Sequence, residues 1–143
     1  MEKKDKLTKL TKKQIDVTQN CGTEEPFDNE YWNNSEEGIY VDLITGDPLF
    51  CSIHKYDSGT GWPSFYEVIN KSNISLHDDE KLGYNRVEVK SSFSNSHLGH
   101  VFDDGPITGL RYCINSASLK FIRKNDMKKL GYIKYLKLFE KTK

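Results

Sequence analysis

The sequence predicts a mainly β fold with short peripheral helices, and three observations carry that expectation. Gly38 to Ser52 reads as a hairpin: Ile39, Val41 and Leu43 alternate, Thr45-Gly46-Asp47-Pro48 turns, and Leu49-Phe50-Cys51 returns. A second hairpin is written around Gly105-Pro106-Ile107-Thr108-Gly109, where proline fixes one φ and the glycines tolerate positive φ. Helical spacing occurs in short stretches outside these hairpins. A length of 143 residues suits one domain spanning 1–143, able to bury about two-thirds of its unfolded surface.

The elements follow in chain order. Residues 1–10 form a charged lead-in of the mobile kind. Thr11 and Gln14 stand in a capping-box relationship, so a short helix is expected to run to about Gln19. Cys21-Gly22 breaks it and Thr23 to Phe27 forms a loop. Asp28 is placed to cap a short turn of helix carrying Tyr31 and Trp32, whose rings suit core or lid packing. After the first hairpin comes Gly59-Thr60-Gly61-Trp62-Pro63-Ser64-Phe65, where the tryptophan suits either a core plug or the wall of an apolar pocket. Residues 70–83 read as a polar connection with His77 on its surface, and Val87 with Val89 marks another strand. Met127, Leu130, Ile133, Leu136 and Phe139 recur at helical spacing, interrupted by Gly131.

Charge and cysteine usage narrow the function. Lysine plus arginine and aspartate plus glutamate each total 21, so the net charge is zero and neither nucleic acid nor an anionic membrane is indicated as a partner. No long apolar run suggests a signal peptide or a membrane span. Three cysteines do not read as a disulfide framework, and they suit a reducing cytoplasm where disulfides are transient and catalytic.

The second hairpin concentrates the chemistry. Alternation puts His100, Phe102 and Asp104 on one face of its first arm, and Arg111, Cys113 and Asn115 on one face of its second. If the arms pair, a thiol, an imidazole, a carboxylate, a guanidinium and an amide converge. The thiolate is the nucleophile, and nearby cations lower a thiol pKa from its free value of about 8.5. A strand cysteine also suits a small buried hydrophobe. Arginine and asparagine beside it make poor core, because buried charge must be paired. Spacing alone leaves the structural and the reactive thiol both open. In a regular strand His97 and His100 face opposite ways, so Gly99 would have to bend the chain for both to serve one site.

Other chemistries fit less well. A structural zinc site wants four closely paired Cys or His ligands, whereas no two cysteines here are neighbours and His97 with His100 is one pair without another. No metal is therefore expected. Neither a phosphate loop nor a dinucleotide fingerprint occurs. A cysteine hydrolase would need an oxyanion hole and an acyl substrate that nothing in the chain suggests. A binding module without turnover remains a rival to an enzyme.

Four runs, GTEEPF, GWPSF, SHLGHVFDDGP and RYCINSASLKF, resemble the methionine-R-sulfoxide reductases, the MsrB family, in that family's order. The resemblance extends from about Thr18 to Phe121 or beyond. It implies two antiparallel sheets and a cofactor-free, thiol-dependent enzyme that returns methionine-R-sulfoxide, free or in proteins, to methionine. On that resemblance Cys113 matches the nucleophile that becomes a sulfenic acid, His100 the proton donor, and His97 its companion. Asp104, Arg111 and Asn115 match supporting polar residues. Trp62, joined here by Phe102, matches the wall that receives the substrate methyl group. Thioredoxin or a similar thiol is the expected reductant, and a monomer the expected state.

Two departures from the family pattern stand out. Many members carry four zinc-binding cysteines where this chain has Asp42, Thr45, Ser91 and Ser94, and a resolving cysteine where it has Thr60. Cys21 and Cys51 are then the candidate resolving thiols. The loop position of Cys21 favours it over Cys51 on its strand, and direct attack by an external reductant is the alternative.

Overall fold

The computed structural model describes residues 10–140, so most of the expected lead-in lies outside the described residues. Helix α1 (Lys12–Asn20) starts where the capping box places it: Gln14 N donates to Thr11 Oγ1 at 3.1 Å, and Thr11 N donates back to Gln14 Oε1 at 2.9 Å. It ends on Cys21, in the left-handed conformation at φ 57°.

Strands β1 (Gly38–Asp42) and β2 (Pro48–Cys51) form the first hairpin, and β9 (Leu119–Arg123) pairs with the other edge of β1. The three make one antiparallel sheet in the order β2-β1-β9. The remaining strands are β3 (Lys55–Tyr56), β4 (Ser64–Phe65), β5 (Ile74–Asp79), β6 (Arg86–Ser91), β7 (His97–Phe102) and β8 (Arg111–Ile114). They form a second antiparallel sheet in the order β3-β4-β8-β7-β6-β5. The mainly β architecture of two antiparallel sheets is therefore as the sequence predicts.

Alternation explains why β1 is buried along its whole length. Tyr40 turns toward the larger sheet, where it meets Phe65 edge-on with ring centroids 5.2 Å apart, while Phe50 stacks on Phe65 at 4.5 Å. Ile39 and Val41 turn the other way and pack with Cys51, Ile122, Met127 and Phe139. The small sheet is thus covered on both faces, by the large sheet and by the C-terminal segment. Burying each such aliphatic or aromatic side chain contributes about 1.5–3 kcal/mol.

Two expectations need correction. Residues 70–83 are not a plain connection, because 74–79 form the edge strand β5, whose alternation was hidden by Ser75, His77 and Asp78 on an exposed edge. The segment after Asp28 makes turns, and no helix forms at Tyr31 and Trp32. The C-terminal helical spacing forms short interrupted helices as expected: α2 (Lys124–Met127), then a 3₁₀ turn (Ile133–Leu136) running into α3 (Lys137–Glu140). Gly131 at φ +91° separates them.

The four positions where the family resemblance expects zinc cysteines, Asp42, Thr45, Ser91 and Ser94, lie at the turns after β1 and β6. Asp42 Oδ1 accepts from Ile44 N and Thr45 N, and Asp42 Oδ2 accepts from Ser94 Oγ. Ser91 Oγ accepts from Phe93 N and Ser94 N. These groups are one carboxylate and three hydroxyls with no thiolate, already engaged in local hydrogen bonds, and they do not fit a structural zinc ion.

Candidate active site

One register row crosses the whole large sheet: Tyr56, Ser64, Cys113, His100, Glu88 and His77 lie opposite one another in succession. Residues paired across a ladder share a face, so the row carries its side chains on the side away from the aromatic core. His100 lies directly opposite Cys113, and Phe102 directly opposite Arg111. The second hairpin therefore brings together the residues that alternation placed on one face.

A cleft of about 140 Å³ opens over this row, lined by Cys113, His100, Trp62, Phe102, Arg111 and Asn115, with Thr23, Arg86, Gly99 and Ile114 completing it. That is roughly ten times the space a single water needs on the same measure, enough for the end of a side chain. Trp62 is held as a wall: its indole N–H donates to Glu24 O at 2.9 Å. The Arg111 guanidinium lies 4.3 Å from the centre of the Phe102 ring. Asn115 sits just past β8 and ties the cleft floor to its rim, since Nδ2 donates to Leu98 O and Oδ1 accepts from Glu24 N.

Two candidates reach the cleft only through others. Asp104 is outside it and acts on Arg111, whose Nε donates to Asp104 Oδ1 at 2.8 Å and whose second nitrogen donates to Oδ2 at 3.2 Å. That pairing holds the Asp104 carboxyl below the usual range. His97 is buried behind the cleft, with its ring 5.6 Å from that of His100. A β-bulge brings the two together. Val89 pairs with Gly99 but Lys90 pairs with His97, so β7 carries one extra residue there and its side-chain phase shifts. The bend lies beside Gly99, where no side chain fits: a Cβ would come 2.0 Å from Cys113 O.

The partners of the histidines were not foreseen from the sequence. His100 Nε2 lies 2.8 Å from Asp79 Oδ2, and Asp79 also binds the Arg86 guanidinium at 3.2 Å and Lys81 N at 3.0 Å. These contacts, His100 first, hold the Asp79 carboxyl down at about 2. Asp79 is therefore ionised near neutrality, so His100 donates from Nε2. Arg86, which lines the cleft, keeps a buried Nε–H with no partner among the described residues. His97 Nδ1 lies 2.7 Å from Glu88 Oε2. Burial pushes His97 below its ordinary range although Glu88 opposes it; burial also acts to raise Glu88, but His97, Lys90 and Cys21 together hold that carboxyl below its ordinary range. Cross-strand partners from β5 and β6 leave no local signal in a sequence.

The thiol itself differs from the simplest expectation. Burial pushes Cys113 above its ordinary value, while the Arg111 guanidinium and hydrogen bonds from Thr60 and Arg111 pull the other way without prevailing. Of the other cysteines, Cys21 is part-buried with Sγ 3.6 Å from Glu88 Oε2, and burial and Glu88 raise its pKa. Cys51 is 0% exposed, in the core on the far side of the small sheet.

A fold of two antiparallel sheets with a cysteine and a histidine paired across one hairpin has its match in a known family. The family model described as SelR domain matches residues 10–123, so the chain belongs to the SelR domain family, which bears out the MsrB resemblance read from its four motifs. The chain is 61% identical over 133 residues to the peptide methionine sulfoxide reductase MsrA/MsrB of Vibrio cholerae serotype O1 (strain ATCC 39315 / El Tor Inaba N16961). The match covers 92% of this chain and 35% of that protein, so the chain spans about a third of the length of its relative. Among the described residues no helix is long and apolar enough to cross a membrane.

Proposed function

We propose that this chain is a peptide-methionine (R)-S-oxide reductase that works through Cys113. The observation that carries the reading is the direct cross-strand pairing of Cys113 with His100 at the floor of an aromatic-walled cleft. The similarity to the Vibrio cholerae peptide methionine sulfoxide reductase MsrA/MsrB supports the same chemistry.

A sulfoxide oxygen is a poor leaving group until protonated, so the sulfur nucleophile needs an acid beside it. Cys113 attacks the substrate sulfur, and His100 protonates the oxygen directly or through a water. The oxygen ends on the Cys113 sulfur as a sulfenic acid, and the proton lost by the thiol balances the one gained by that oxygen. Methionine sulfur is reduced by two electrons and Cys113 is oxidised by two. Two thiols then return the sulfenic acid to a thiol, releasing water and a disulfide. Thioredoxin or a similar reductant supplies at least one of them.

Each polar neighbour has a role in this reading. Arg111, braced by Asp104, favours the thiolate as it forms. Asp79 and His97 fix the position of His100, and Asn115 holds Glu24, whose carbonyl braces the Trp62 indole. Trp62 and Phe102 take the methyl group, a burial contributing about 0.8 kcal/mol. Stereoselectivity follows from separate subsites for methyl and oxygen. No cofactor or structural zinc is invoked, and the protein acts as a cytoplasmic monomer.

An assay with the R and S sulfoxide epimers offered separately, with thioredoxin as electron source, tests the proposal. Reductant consumption with the R epimer alone is the expected result. Equal use of both epimers, or binding without consumption, would overturn it.

A further inference from the structure

Behind the cleft lies a cluster for which the proposed chemistry gives no complete account. Cys21 from the end of α1, Glu88 from β6 and His97 from β7 converge until their donor atoms all lie within 4.8 Å of one another. Cys21 Sγ lies 3.6 Å from Glu88 Oε2, and His97 Nδ1 lies 2.7 Å from the same oxygen. Each ligand is set by a separate feature: the left-handed helix end places Cys21, strand alternation places Glu88, and the β7 bulge re-aims His97.

We propose that Cys21, Glu88 and His97 form a binding site for a thiophilic divalent cation of the zinc class, with a fourth position left to water. One thiolate sulfur, one imidazole nitrogen and one carboxylate oxygen are the donors such an ion accepts, at about 2.3, 2.0 and 2.1 Å. Tetrahedral ligands at those lengths stand roughly 3.3–3.7 Å apart. The sulfur–oxygen spacing already matches, and the nitrogen–oxygen pair has to open by about half an ångström from its hydrogen-bonded distance. Calcium and magnesium are excluded by the donor set, since they take oxygen ligands. Once the thiol proton is displaced, thiolate and carboxylate together offer two negative charges. Lys81 and Lys90 lie near enough to Cys21 to be felt and oppose a cation, so they set the affinity below that of a fully anionic site. Binding takes the Cys21 thiol out of redox chemistry for as long as the ion stays.

The test is a Co(II) titration of the reduced protein without oxygen, read by absorption. A thiolate-to-cobalt charge-transfer band saturating at one equivalent, displaced by zinc, is the expected result. Cys21→Ser should abolish the band, Glu88→Gln should weaken binding tenfold or more, and Cys113→Ser should leave both unchanged. Circular dichroism of each variant confirms that it is folded. One equivalent of zinc should also protect Cys21 from maleimide labelling mapped by mass spectrometry. Absence of the band, its survival in Cys21→Ser, or its loss in Cys113→Ser would overturn the proposal.

Discussion

The carboxylate of Asp42 accepts a 2.6 Å hydrogen bond from the hydroxyl of Ser94, joining the turn after β1 to the turn after β6 across 52 residues of chain. It clamps the small sheet to the large one with oxygen chemistry at the place where relatives are expected to use metal. Asp42 is 1% exposed and accepts two backbone N–H groups besides. Asp42→Ala leaves those donors buried and unpaired, at about 1–3 kcal/mol each. Urea denaturation should show a loss of at least about 2 kcal/mol. Cys113 lies in another region, so its alkylation rate in the folded state should not change.

Asp79 organises the acid side of the cleft by holding both His100 and Arg86. On the proposed role of His100 as proton donor, His100→Ala should lower kcat by about 100-fold or more with a smaller effect on KM. Asp79→Asn should give a smaller loss of the same kind. The pair also predicts acid sensitivity. The Asp79 carboxyl is held at about 2 when folded, against an unfolded value of about 3.9. Its contribution to stability is therefore complete above the unfolded value and is lost as pH falls from about 4 toward 2. Denaturation at a series of pH values should show that loss in the natural protein and less of it in Asp79→Asn.

Much of this arrangement is legible in the sequence, for a local reason. The Gly105–Gly109 turn and the alternation on either side of it fix which side chains share a face, so Cys113, His100, Phe102 and Arg111 follow from period two alone. The Thr11 capping box is local in the same way. What is not local is not legible. Asp79 lies 21 residues from the histidine it binds, and Glu88 lies 67 residues from Cys21. The strand bearing Asp79 sits at a sheet edge, where polar residues erase the hydrophobic alternation that marks a half-buried strand. The bulge that unites His97 with His100 shows only as a glycine, and the raised thiol pKa depends on burial that no spacing reveals.

The raised pKa of Cys113 has a kinetic signature. Burial raises the thiol, and Arg111 is the first influence opposing it. Alkylation by iodoacetamide should therefore be slow at neutral pH and rise through the alkaline range, to a midpoint above the free value of about 8.5. Arg111→Met should move that midpoint further up and reduce turnover at pH 7. A midpoint below neutrality in the substrate-free protein would show that the guanidinium outweighs burial.

Recycling of the oxidised thiol turns on which sulfur can reach Cys113. Cys51 is sealed in the other core, and freeing it would require the small sheet to part from the C-terminal segment. Cys21 ends a helix beside the histidine pair and is only part-buried, so the loop that follows can carry it toward the cleft. Thr60 already reaches the Cys113 sulfur with its side chain, at the position where the family pattern expects a resolving cysteine. A single turnover without reductant, read by mass spectrometry, should yield a Cys21–Cys113 disulfide, and Cys51→Ala should not alter it. In Cys21→Ser the sulfenic acid should persist. Adding Thr60→Cys to that variant should restore an internal disulfide, because the new sulfur starts in contact with its partner. A Cys51 disulfide, or a persistent sulfenic acid in the natural protein, would remove Cys21 from the cycle.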